Sequence, residues 1–125
     1  MVIQESAENY LETILKLKRE QGKVRSIDIV HAMNYSKPSI SRAMRLLREN
    51  EYITMDKEGW IELLPKGEQI AHEILERHEL ISQWLIMLGV DPEIAVQDAC
   101  KMEHDMSQET FEKLKEHIAQ EHPKL

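Results

Sequence analysis

In the stretch DACKMEHDMS, residues 98–107, the chain's single cysteine stands three residues before a glutamate and four before a histidine. Residues at those spacings share a helix face, so Cys100, Glu103 and His104 project together if the segment is helical. A soft thiolate, a hard carboxylate and a borderline imidazole can hold a first-row divalent ion between them, provided other elements supply the remaining donors. Alone, the triplet is equally the pattern of a buried cysteine beside two solvated polar residues. Three further donors give it weight. His78, in ERHELI, sits on the polar–apolar border of a long helical pattern, and Asn9 and Glu12, three apart, share a face of the first helix. A nucleophilic enzyme built on Cys100 and His104 is a poor reading, because neighbours on one helix face supply no oxyanion hole and no glycine-rich loop cradles a substrate. Redox sensing through Cys100 stays open as an alternative, and it requires an accessible thiol of low pKa.

These donors have to be positioned by a small chain. Its 125 residues suffice for one domain or two small joined lobes with a real core. A lone cysteine forms no internal disulfide, no stretch resembles a signal peptide, and the most apolar run, 80–90, is broken by Ser82 and Gln83. The expectation is a soluble, cytoplasmic protein with no membrane partner.

The formal charge of −7 is unevenly spread. Residues 1–66 carry 11 Lys or Arg against 10 Asp or Glu, whereas residues 67–125 carry 5 against 13 and hold five of the six histidines. Within the near-neutral front, 37–48 contains Lys37, Arg42, Arg45 and Arg48 and no acid, the local footprint to which a phosphate backbone responds. The acidic, histidine-rich back suits divalent metal, although solvated helix faces share that composition.

Periodicity predicts helices over 6–21, with Tyr10, Leu11, Ile14 and Leu17 on one stripe, and over 26–33, where Ser26 can cap and Ile27, Val30 and Met33 face inward. A third helix opens at SKPSISRAMRLLREN with Pro38 in its first turn; Ile40, Ala43, Met44 and Leu47 form its buried stripe. Two β-prone runs, 52–55 and 60–63, flank the turn Asp56-Lys57-Glu58-Gly59. A long helix from Pro65 to about Leu88, a fifth from Asp91-Pro92 and a last one capped by Ser107 complete the chain, with Pro123 ending the ordered part. No repeat, low-complexity tract or linker interrupts it.

Helix, helix, turn, basic helix and hairpin in this order are the plan of a winged helix-turn-helix, in which the 38–50 helix lies in the major groove. Arg42 is placed for a bidentate contact to guanine and Pro38 for a thymine methyl. Lys37 belongs to the same basic run, and Ser39, Ser41, Arg45 and the wing residue Lys57 suit phosphates.

Through ENYLETI, KPSISRAMRLL, RHELI and DACKMEHDMS, the chain resembles the metal-dependent repressors of the diphtheria toxin repressor and manganese transport regulator type. The resemblance implies a mainly α fold: a winged helix-turn-helix DNA-binding domain, residues 1–66, then an all-helical metal-binding and dimerisation domain, residues 67–125. It implies metal ligands at Asn9, Glu12, His78, Cys100, Glu103 and His104, and base-reading positions at Pro38 and Arg42. Cys100 resembles the iron-responsive branch, whereas Glu12 with His78 resembles the manganese branch. Asn9 departs from both, standing where one has aspartate and the other methionine, and Ser82 and Val96 occupy two ligand positions of the iron branch's second site. The family's longer members continue into a small β-barrel, and the resemblance is to the short, manganese-type form that stops before it. The implied function is metal-activated repression of transcription in iron or manganese homeostasis. Fe²⁺ or Mn²⁺ is the expected ion, with a thiolate tilting affinity toward Fe²⁺, Co²⁺ or Zn²⁺. One reading helix contacts a half-site, so a homodimer on a pseudo-palindromic duplex is expected. Trp84, Leu85, Met87, Leu88, Phe111 and Leu114 are apolar enough to form either its interface or internal core.

Overall fold

A computed structural model of the chain describes residues 5–122; Pro123 lies outside them. The described residues form α1 (Glu5–Gln21), α2 (Ser26–Met33), α3 (Lys37–Glu49), β1 (Ile53–Met55), β2 (Ile61–Leu63), α4 (Pro65–Met87), α5 (Pro92–Asp105) and α6 (Gln108–Glu121). The backbone divides into two compact units, one through His72 and the other from Glu73. Consequently α4 gives its opening turns to the first and its remainder to the second. Among the described residues no helix is long and apolar enough to cross a membrane.

In the first unit α1 buries Leu11, Ile14 and Leu15, with Tyr10 and Leu17 half-buried at the edges of that stripe. On α2 two expectations are corrected. Arg25, not Ser26, occupies the N-cap position, and the Asp28 carboxylate accepts from the Arg25 amide at 2.8 Å. Ser26 is already inside the first turn, so it is too late to cap it. The fully buried residue is Ile29, while Ile27 is 38% exposed. Two residues subtend about 200° on a helix, so Ile27 and Ile29 cannot both face the core. Asn34 then takes the left-handed conformation, φ 57°, and donates its amide to Val30 O at 2.9 Å, which ends α2 and turns the chain.

α3 opens on Ser36, whose hydroxyl accepts from the Ser39 amide at 3.3 Å, with Pro38 in the first turn. Ile40, Met44 and Leu47 are buried; Lys37, Pro38, Ser39, Ser41, Arg42, Arg45 and Arg48 are exposed. The antiparallel hairpin pairs Ile53 with Leu63, Thr54 with Glu62 and Met55 with Ile61. Asp56 Oδ1 closes its turn by accepting from Glu58 N at 3.0 Å and Trp60 N at 2.9 Å. Past the hairpin, α4 starts hard against β1's approach: a Cβ on Gly67 would lie 2.2 Å from Tyr52 O. Only glycine permits that approach.

In the second unit the buried residues include Ile74, Leu75 and Ile81 of α4, Ala95 and Ala99 of α5, and Phe111 and Ile118 of α6. Asp91 caps α5 through Glu93 N at 3.1 Å, and Ser107 caps α6 through Thr110 N at 3.1 Å. Of the apolar residues whose fate the sequence left open, Phe111 is core at 2% exposure, Trp84, Leu85 and Leu114 are half-buried, and Met87 and Leu88 are exposed together with Ile86, Ile94 and Val96.

Candidate metal centre and reading surface

The last turn of α5 carries a carboxylate into the interior of the second unit. Ala95, Ala99 and Glu103, spaced by four, are the buried residues of α5, so two small side chains precede the glutamate on its face. Glu103 Oε2 lies 3.0 Å from His78 Nδ1 of α4, and Oε1 lies 3.3 Å from His104 Nε2. The side chain of Glu103 is 0% exposed, that of His104 2% and that of His78 16%. The His104 contact is within ion-pair range yet lacks hydrogen-bond geometry, so among the described residues Oε1 is buried without a hydrogen-bond partner. A buried charge is costly unless paired and fully hydrogen-bonded. A carboxylate flanked by two imidazoles, with one oxygen unsatisfied, is a donor set that a first-row divalent cation completes. The residues present therefore fit such an ion.

Cys100, one turn earlier on α5, is exposed and forms no disulfide. Asn9 and Glu12 belong to α1 in the first unit, where Glu12 is buried and Asn9 half-buried. Asn9 lines a cavity of about 170 Å³ with Glu5, Ser6, Tyr10, Met33 and Tyr35. Tyr10 and Tyr35 meet edge to face, ring centroids 6.2 Å apart at 79°. Burial, and secondarily Tyr35, raises the Tyr10 pKa above its usual value.

Arg77 escaped the sequence reading. It is 8% exposed and donates to Glu103 O at 3.0 Å, Met106 O at 2.6 Å and Gln108 Oε1 at 2.8 Å, with its guanidinium carbon 5.2 Å from the centroid of the Phe111 ring. One cation thus satisfies carbonyls at the end of α5, where the helix dipole favours it, and fixes the start of α6. The only sequence signal was its place one residue before His78.

On α3 Arg45 sits 3.9 Å from Glu49, an exposed pair. Arg42 and Arg48 form no ion pair among the described residues and remain open to solvent. Lys57 is exposed on the hairpin turn.

Two family models match the chain. One, described as iron dependent repressor, N-terminal DNA binding domain, covers residues 3–60. The other, iron dependent repressor, metal binding and dimerisation domain, covers residues 64–124. The transcriptional regulator MntR of Salmonella typhimurium is 37% identical over 108 residues, which are 86% of this chain and 69% of that protein. The HTH-type transcriptional regulator MntR of Bacillus pumilus is 33% identical over 109 residues, 87% of this chain and 76% of that protein. The solved manganese regulator SloR superposes with a TM-score of 0.78 at 25% identity, over 94% of this chain and 54% of its own. The chain therefore spans about half the length of that solved regulator.

Proposed function

Because the chain belongs to the family of iron-dependent repressors, metal-dependent DNA-binding regulators of transcription, we propose that it is a cytoplasmic homodimeric repressor. A divalent ion, Fe²⁺ or Mn²⁺, would activate it, and its operator would be a pseudo-palindromic duplex. The observation that carries this reading is the Glu103 carboxylate, wholly buried between two imidazoles with one oxygen lacking a hydrogen-bond partner among the described residues.

The proposed ligands are His78, Glu103 and His104, with Cys100 from the same helix and Asn9 and Glu12 from α1. When bound, the cation supplies the positive charge that offsets the buried carboxylate. Binding to donors on more than one helix would favour whichever conformation gathers them. A 100-fold preference for the DNA-competent state amounts to about 2.7 kcal/mol, enough to make a minor population the major one. Arg77 positions the Glu103 backbone for this task. On the reading surface Pro38 and Arg42 meet base edges, while Lys37, Ser39, Ser41, Arg45 and Lys57 meet phosphates.

Support for the DNA-binding domain at 1–66 and the metal and dimerisation domain at 67–125 comes from the reading helix and the histidine cluster falling on opposite sides of Pro65. Titrating the apo-protein anaerobically with Fe²⁺ and Mn²⁺, while recording binding to a duplex selected from random sequence, tests the proposal. Affinity should rise with at least one ion; equal affinity with and without every ion refutes it. Redox sensing through the exposed Cys100 is the rival. A thiol sensor keeps its response in Glu103→Gln, whereas a metal sensor loses it.

A further inference from the structure

The connection between α1 and α2 runs as a strand would. Val24 is fully buried, and its carbonyl accepts from the Ile61 amide of β2 at 2.8 Å, whereas Lys23 and Arg25 on either side are exposed. Both cations lie against one ring: the Arg25 guanidinium carbon is 3.9 Å and the Lys23 Nζ 5.1 Å from the Trp60 centroid. Stacking uses the face of a guanidinium and leaves its N–H edge available to an acceptor.

Neither cation forms an ion pair among the described residues, in contrast to Lys18 with Glu62 and Arg45 with Glu49. Nearby acids are committed elsewhere. Asp28 accepts from the Arg25 amide, Asp56 from the Glu58 and Trp60 amides, and Glu62 pairs with Lys18, which leaves Glu58 as the exposed acid of the turn. Two cations are therefore held in place by an aromatic face, with their hydrogen-bonding capacity unspent. The same unit presents the acid-free face of α3.

We propose that Lys23 and Arg25, ordered on Trp60, form a phosphate clamp that grips the backbone of double-stranded DNA outside the contacts made by α3. The clamp reads no bases; it adds about two phosphate contacts on any sequence. This inference rests on the DNA-binding reading and extends it to residues outside the reading helix.

The test uses the full chain with saturating Mn²⁺ and a 30-base-pair duplex of arbitrary sequence, with affinity followed by fluorescence anisotropy between about 50 and 200 mM salt. Lys23→Gln and Arg25→Gln should each lower the slope of log affinity against log salt by about 0.9, and the double variant by about 1.8. Lys113→Gln, on α6, should leave the slope unchanged. Trp60→Leu keeps both charges and should weaken binding by roughly 2- to 5-fold, and Trp60→Phe should restore most of that loss. A double variant that melts like the wild type and keeps the wild-type slope overturns the clamp. A wild-type chain that binds no duplex with any ion overturns the DNA-binding reading itself.

Discussion

Glu103→Gln separates a cation-binding carboxylate from a merely structural one. The Glu103 side chain is 0% exposed, with Oε2 3.0 Å from His78 and Oε1 lacking a hydrogen-bond partner among the described residues. An unsatisfied buried acceptor costs on the order of 1–3 kcal/mol, and burial of its charge adds to that cost. Glutamine has the same shape, sheds the charge and retains a hydrogen bond to His78. The metal-free variant should therefore match the wild type within about 1 kcal/mol or exceed it. At 100 times Kd, a bound ion adds about 2.7 kcal/mol to the wild type. At about 3–5 °C per kcal/mol for a chain of this size, that is a rise in Tm of about 8–13 °C. The variant should lose most of the rise. Circular-dichroism melts with and without Mn²⁺, and anaerobically with Fe²⁺, give both quantities. A metal-free variant destabilised by several kcal/mol that still shows the full ion-dependent rise would refute the reasoning.

Arg77→Lys keeps the charge but cannot serve three acceptors on two sides of the α5–α6 junction, so urea unfolding should show a loss of about 1.5–3 kcal/mol. Arg42→Ala should weaken binding to a selected duplex by roughly 5- to 150-fold, and relax preference at one base position in repeated selection, while binding to arbitrary duplex falls only by the loss of one charge. Gly67→Ala must displace Tyr52 O, 2.2 Å from the added carbon, and should cost about 1–3 kcal/mol in the same unfolding assay. The Tyr10 pKa is raised by burial and by Tyr35, so the stability it contributes is present below the ordinary tyrosine pKa and is lost as pH rises through the higher folded value. The wild type should therefore lose stability relative to a non-ionising Tyr10→Phe variant as pH rises above 10, so that the difference between their melting temperatures changes over that range and stays constant between pH 6 and pH 8.

Much of the fold was legible because its punctuation is local. Pro38, Pro65 and Pro92 sit in the first turns of α3, α4 and α5, and Asp91 and Ser107 cap α5 and α6; each preference is decided within a few residues of the chain. The errors came where two local choices compete. Ile27 and Ile29 are both apolar, and only the packing of α2 decides which one turns inward. At the candidate site, spacing placed Glu103 and His104 on one helix and a polar–apolar border singled out His78 on another, and these three side chains meet in the second unit. Arg77 was not, since its burial is created by carbonyl groups at the end of α5 and a side-chain amide on α6, and backbone acceptors leave no trace in sequence. Lys23, Arg25 and Trp60 were missed for a related reason: they meet through the Val24–Ile61 hydrogen bond across a separation that no helical or strand period spans.

The two tryptophans fall one to each unit, Trp60 beside the cations of the hairpin and Trp84 on α4. Each unit thus carries its own intrinsic fluorophore. Replacing Trp84 with Phe would leave emission that reports only on the Lys23–Arg25 sandwich, and replacing Trp60 would leave a spectrum from the histidine-bearing unit alone. Ion uptake and nucleic-acid engagement could then be timed separately in one stopped-flow instrument, without attaching a dye.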